Sequence, residues 1–265
     1  MDDKDKQLQL PYWCDLERGA PNSILRSALF GIVGTKSIRK IYKNELIASY
    51  GGSKFFYSGV SLSQTDLDLW LEIIHIWQKN RSPRMELTRY TIAKLLDKRR
   101  SKPLYDRIDK TLDRLFNCSV SIEITRPDGK LYTYKGRLIT ELESLSHKGK
   151  KDWRITVSER LIDLFAHGYT RQLTDIRRSL KSDLARWFYG YISSHKTSED
   201  HPHKISFEKL IPMMGVRSHK AMFKKIITKA LNELLEQRVV ENFEITDNDV
   251  LIVVKRNHLK YLQNH

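Results

Sequence analysis

No acidic residue occurs between Glu208 and Glu233, and within that gap stand Arg217, Lys220, Lys224, Lys225 and Lys229. Wound at about 100° per residue, the stretch 216–237 gathers Phe223, Ile226, Ile227, Ala230, Leu231 and Leu234 on one face, with Ala221, Lys225, Lys229 and Asn232 opposite. Ser218 stands where its hydroxyl can satisfy a backbone N–H that the first turn leaves unpaired. Such a helix buries one side in a small domain and turns the other to water or to a polyanion. A solvated lysine-rich face is the plainer reading of any single helix of this kind, and the setting favours the polyanion. Upstream, 205–215 reads as a short strand, an apolar helical turn and a Met-Met-Gly break. Downstream, 239–245 and 250–255 are apolar runs joined by Thr246-Asp247-Asn248-Asp249, a hairpin signal. With the aromatic helix 183–194 in front, the order is helix, short strand, helix, basic helix, hairpin. That is the order of a winged helix-turn-helix, which lays its last helix in the DNA major groove and its wing on the backbone.

The same grammar occurs earlier with different residues. The stretch 63–80 is amphipathic, with Leu67, Trp70, Leu71, Ile74 and Trp77 at helical spacing. A short strand at 85–88, a small helix at 90–97 and a longer helix at 104–117 follow. In the longer helix Leu104, Ile108, Leu112 and Leu115 form the buried stripe, and Arg107, Lys110 and Arg114 a basic flank. Lys98, Arg99, Arg100 and Lys102 lead into it. Asp106, Asp109 and Asp113 form an acidic row beside that flank, so two readings stand: a second DNA-contacting helix, or a surface laced with salt bridges. Strands are expected at 120–125, 131–141 and 153–157, with a turn at 126–129 between the first two. Further strands, at 38–50 and 54–58, flank Gly51-Gly52, and a short helix spans 158–166. Trp70, Trp77, Trp153 and Trp187 read as core. The expected architecture is therefore α+β: two tandem winged-helix (helix-turn-helix) domains at 21–167 and 183–257. Residues 168–182 connect them, and 1–20 form a flexible tail. Within that tail 7–13 is unexpectedly apolar, which suits either docking in a partner's pocket or folding back over its own domain.

Charge narrows the partner. The 265 residues carry a formal net charge of +15, and the first 17 hold five acids against two lysines, which leaves +18 on the rest. Nucleic acid is the first candidate partner, and the winged-helix order above makes it double-stranded DNA. A membrane surface ranks below it, because no basic amphipathic segment of low polarity is present. No apolar run approaches the ~20 residues a spanning helix needs, and the acidic, polar N-terminus is unlike a signal peptide. Cys14 and Cys118 stand far apart, which gives neither a cysteine-rich zinc site nor a disulfide framework. A cytoplasmic protein without cofactor or metal is expected.

Two segments carry partial enzymatic signatures. Residues 31–37 superficially look like a phosphate-binding loop, but Thr35 separates Gly34 from Lys36 and breaks the required spacing. His201-Pro202-His203, with His195 near, suggests the histidine pair of metal-dependent rolling-circle initiator nucleases. Such a site needs its histidines on a central strand, whereas this pair follows Ser198-Glu199-Asp200 and reads as an exposed loop. No catalytic residue is expected.

Several segments recur together in one order: QLQLP at 7–11, PNSILRSALF at 21–30, SQTDLDLWL at 63–71 and HGYT at 167–170. SSH at 193–195, the basic helix, and DNDVLIVVKR at 247–256 complete the set. In this set the chain resembles plasmid replication initiators of the TrfA type, over about 7–256. The resemblance implies two tandem winged helices and binding to directly repeated origin sites (iterons) as a monomer. It further implies help in opening an adjacent A+T-rich segment and recruitment of the host initiator and replicative helicase. Exchange with a less active homodimer is implied too. The family's peptide for the sliding clamp has a Gln, two leucines and a closing Phe. Gln7, Leu8 and Leu10 match it, Pro11 replaces the Phe, and Tyr12 or Trp13 stands near enough to supply a ring. On this reading Arg217, His219 and Lys225 reach bases, since Arg and Lys pair with guanine in the major groove. Ser218 caps their helix, and Lys220, Lys224 and Lys229 fix register on phosphates. Arg99, Arg100, Lys102, Arg107, Lys110 and Arg114 meet a second groove segment. A plasmid-encoded transcriptional repressor of the same fold is the remaining alternative.

Overall fold

Trp13 sits flat on Gly19, where an added Cβ would lie 2.6 Å from the indole ring. That contact shows how early the folded chain begins. The computed structural model describes residues 9–34, 38–125, 129–147, 150–215 and 220–256. Strand β1 (Glu17–Pro21) is followed by the helical turn α1 (Asn22–Leu25), β2 (Phe30–Gly31), β3 (Ile41–Ile47), β4 (Lys54–Val60) and β5 (Leu62–Ser63). Helix α2 (Gln64–Asn80) starts where the Asp66 carboxylate accepts from the backbone N–H (2.7 Å) and hydroxyl (2.9 Å) of Ser63. Strand β6 (Arg84–Thr88) and helices α3 (Arg89–Leu95) and α4 (Lys102–Phe116) come next. The chain then runs through β7 (Ser119–Thr125), β8 (Leu131–Gly136), β9 (Glu141–His147), β10 (Lys150–Thr156), α5 (Leu161–Ala166) and β11 (Tyr169–Leu173). Beyond these lie α6 (Thr174–Ser179), α7 (Asp183–Ser193), β12 (His203–Ser206), α8 (Phe207–Met213), α9 (Lys220–Glu236), β13 (Val240–Ile245) and β14 (Val250–Lys255).

One topology occurs twice. In the first half α2, β6, α3, α4 and the β9–β10 hairpin build a sheet of order β6-β10-β9. In the second, α7, β12, α8, α9 and the β13–β14 hairpin build one of order β12-β14-β13. Each half has its own apolar core: Trp70, Ile74, Leu112 and Trp153 lie in one, Trp187, Phe207, Leu231 and Val253 in the other. All four tryptophans expected in the core are there.

Three sequence expectations need correction. The run 131–141 is not one strand: Leu138 and Ile139 are consecutive and both fully buried, which breaks a two-residue alternation. The chain turns there, β7 and β8 extend the sheet β3-β4-β7-β8, and the hairpin of the first repeat is β9–β10 instead. Residues 9–20 are not a tail. The Trp13 ring stacks on Phe165 with centroids 5.9 Å apart, its Nε1–H donates to His75 Nδ1 at 3.0 Å, and β1 pairs antiparallel with β11 from Glu17↔Leu173 to Pro21↔Tyr169. Nor is 168–182 a plain connection, since β11 completes that ribbon and α6 packs in the seam between halves.

The seam is polar and specific. Arg177 of α6 is buried; its Nε donates to Asp68 of α2 at 2.6 Å and its Nη2 to the Gln64 side-chain carbonyl at 3.1 Å. Arg186 of α7 reaches the same Asp68 at 3.4 Å. Arg26 donates from Nε to the Ser194 hydroxyl at 2.9 Å. At Gly31 the backbones meet so closely that a Cβ would stand 2.9 Å from the Met214 carbonyl oxygen.

Candidate nucleic-acid interface

Helix α9 divides by side as its periodicity requires. Phe223, Ile227, Ala230, Leu231 and Leu234 are buried, while Lys224, Lys225 and Lys229 are exposed and have no ion pair among the described residues. Ile226, expected on the greasy face, is 40% exposed at its margin. Glu233, the acid that closes the basic stretch, is turned to other work. Its carboxylate accepts from the backbone N–H of Lys181 (2.9 Å) and the hydroxyl of Ser182 (3.1 Å), just ahead of α7. Among the described residues, Glu233 is thus hydrogen-bonded away from the lysine face and pairs with none of its lysines. Arg217, Ser218 and His219 lie outside the described residues, as does the side chain of Lys220.

Helix α4 stands in the same place in the first repeat. Its N-terminus is set by Ser101, whose hydroxyl accepts from the Leu104 N–H at 3.3 Å. Leu104, Ile108, Leu112 and Leu115 face inward. Arg107 and Lys110 are exposed and without an ion pair among the described residues, and Arg99, Arg100 and Lys102 are exposed beside the helix start. The Arg100 guanidinium lies 4.9 Å from the centre of the Tyr90 ring.

Arg114 does not belong to this surface. Its Nη2 donates to the Thr111 hydroxyl at 2.9 Å, and its Nε donates to Asp66 Oδ1 at 3.2 Å. Asp66 also holds Arg39 (3.0 Å) and Thr111 (3.0 Å). Burial alone would raise the Asp66 carboxyl, but the Arg114 hydrogen bond and the charges of Arg114 and Arg39 keep it below the ordinary carboxylate range. Asp109 is likewise structural: it binds Arg89, the Trp153 indole N–H (3.1 Å) and Lys151 (3.4 Å). The salt-bridge reading of this helix therefore holds for part of it. Arg114 and Asp109 lace the fold together; Arg107 and Lys110 face outward.

The histidine segment is also rearranged. His201 is exposed, but His203 opens β12 and is buried, contrary to the expected loop. Its ring stacks on His195 with centroids 3.9 Å apart, and its Nε2 lies 2.9 Å from the Tyr191 hydroxyl. The strand begins one residue after Pro202, so the loop signal of Ser198–Pro202 ended just short of it. Burial, then the neighbouring Arg26, depresses His203 to about 4; burial, His203, Arg26 and Lys255 depress His195 to about 2. No group of three or more His, Cys, Asp or Glu suited to hold a metal occurs among the described residues.

Of the peptide residues, Gln7 and Leu8 lie outside the described residues. Leu10 packs partly on the first core and Tyr12 is 78% exposed, at the rim of a groove with Trp77, Arg81, Arg160 and Ile162. Among the described residues no helix is long and apolar enough to cross a membrane.

The family described as TrfA protein matches residues 2–256. The chain belongs to the TrfA family. Its membership makes it a plasmid replication initiator by kind. Among solved structures, this TrfA-family protein is similar to domains 2 and 3 of RctB as a selenomethionine derivative. That match has a TM-score of 0.60 and 14% identity, and covers 89% of this chain and 98% of the other. A second RctB domain 2–3 structure matches with a TM-score of 0.56 and 12% identity over 89% and 98%. The Pi initiator protein in complex with iteron DNA matches with a TM-score of 0.46 and 14% identity over 73% and 95%. No curated protein matches the sequence. The mixed α and β fold is thus shared with the RctB domains.

Proposed function

We propose that this TrfA-family protein is a non-enzymatic initiator of plasmid replication. It binds directly repeated origin sites through two tandem winged helices, with α9 and α4 each in a major groove. Binding then helps open the neighbouring duplex and brings in the host initiator and replicative helicase. The observation that carries the reading is positional. The same topology occurs twice, and in both copies the helix before the hairpin presents cations that no described acid neutralises: Lys224, Lys225 and Lys229 in one, Arg107 and Lys110 in the other. Two reading modules in one chain lengthen the recognised site without a dimer, as tandem direct repeats require. Against cutting, the two histidines that come together, His195 and His203, sit beside Arg26 and Lys255, an electropositive setting that disfavours a divalent cation.

Footprinting on the cognate origin, with and without divalent metal, tests this. Protection repeating with the period of the direct repeats and no strand break is expected. Metal-dependent nicking with a covalent protein–DNA adduct would establish the nuclease instead, and one protected palindrome at a promoter would establish the repressor.

A further inference from the structure

A cleft of about 80 Å³ opens at the seam where α2, the loop after α3, α4, α6 and α7 converge. Its lining holds Arg18, Lys98, Arg107, Arg177, Arg178 and Arg186, against the carboxylates of Asp68 and Glu72 alone. The inner arginines are spoken for: Arg18 pairs with Glu72 at 2.8 Å, and Arg177 and Arg186 share Asp68. Those pairs neutralise two charges and leave a surplus at the mouth. There Lys98 and Arg107 are exposed with no ion pair among the described residues. Arg178 is held in place by donating to the Leu95 carbonyl at 2.6 Å, and its contact to Glu72 is long, at 3.8 Å. Leu69, Leu96, Leu104 and Ile108 form apolar walls, which lower the local dielectric and strengthen any anion contact. In this measure a water needs about 10–15 Å³, so the cleft takes a handful of waters or one phosphoryl group, and no nucleoside.

We propose that this cleft seats one phosphate of the DNA backbone, held by Lys98 and Arg107 from the first half and by Arg178 of α6, the seam helix whose Ile176 packs on the second core. The proposal rests on the DNA-binding reading above and adds to it a contact made by the first half and the seam helix at once. Arg107 belongs to α4, so the cleft is continuous with that helix's outward face. A phosphate seated there ties the grip on the duplex to the relative placement of the two halves, and it carries no base information.

Lys98→Gln decides the matter, because the Lys98 side chain makes no hydrogen bond or ion pair among the described residues, while the backbone N–H that donates to the Ala93 carbonyl is kept, so the change spares the fold. Binding to duplexes with and without the repeat is measured over a salt series, together with ethylation interference on the repeat. Loss of one phosphate contact lowers the slope of log K against log salt by about 0.9. The expected result is that fall on both duplexes, disappearance of one interfering phosphate, and an unchanged preference for the repeat. Arg178→Gln gives the same loss where it folds, and Arg178→Lys restores part of it. Unchanged slopes and an unchanged interference pattern in Lys98→Gln overturn the proposal. Inorganic phosphate titrated into the free protein separates the two sources of the anion. If it binds the wild type and not Lys98→Gln while the DNA slopes stay equal, the cleft serves a free anion and the backbone assignment falls. If the slope falls on both duplexes yet the repeat is not preferred, the cleft stands and the initiator reading fails.

Discussion

Arg107 and Arg114 are two turns apart on one helix and read alike in the sequence, yet they do opposite things. Their difference is one of neighbours: both lie on one side of α4, but Arg114 reaches Thr111 and the buried Asp66, whereas Arg107 meets water. Removing one partner of a buried pair leaves an uncompensated charge and costs about 3–5 kcal/mol. Because Arg39 still pairs with Asp66 at 3.0 Å, Arg114→Ala should lower the unfolding free energy from urea titration by less than that, about 1–3 kcal/mol, while Arg107→Ala stays within about 0.5 kcal/mol of the wild type. A midpoint left unmoved in Arg114→Ala would return that residue to the surface. The sequence showed the stripe but not the partner, because Asp66 stands 48 residues away and nothing local announces it. Trp13 was hidden for the same reason: its partners His75 and Phe165 come from elements far along the chain.

At the scale of elements, helices were the more legible. A 3.6-residue stripe with a polar remainder marked α2, α4 and α9, and the buried residues agree with it except at the margin, where Ile226 is half out. Strands were harder. A run of β-prone residues says nothing about which sheet it joins, and 131–141 hid a corner between β8 and β9 that only the inward Leu138 and Ile139 reveal. The basic face of α9 gives a direct test. Lys225→Ala combined with Lys229→Ala should weaken binding to any duplex and flatten the salt slope by up to about two units if both meet phosphate. A salt titration with parallel wild-type and variant lines would take α9 out of the interface. Since both lysines are exposed and free of ion pairs among the described residues, thermal stability is expected to stay level.

For the whole molecule, the buried histidines predict how acid acts. His75 lies in the first half, where burial, then the charge of Arg18, brings it to about 4 against the opposing pull of Asp15; His203 lies at the seam, also at about 4. Both stay neutral in the fold and take up protons near 6.5 when unfolded. Their stabilisation is complete above about pH 6.5 and fades as pH falls toward 4, by up to about 1.4 kcal/mol per pH unit for each. Urea midpoints at pH 7.5, 6 and 5 should fall in that order, and His203→Phe should shallow the decline. A flat profile would mean the imidazoles are already wet. The duplicated plan was legible in the sequence because each repeat keeps its own local order; the seam was not, because Arg177 read only as one of several cations in a polar stretch. The β1–β11 ribbon bears on synthesis as well. Glu17 emerges from the ribosome long before Leu173 exists to receive it, so a nascent chain carries an open edge through most of translation. The ribbon that shuts the first half is finished only as the residues of α6 appear, and sealing that half and docking the second become successive moments of a single late event.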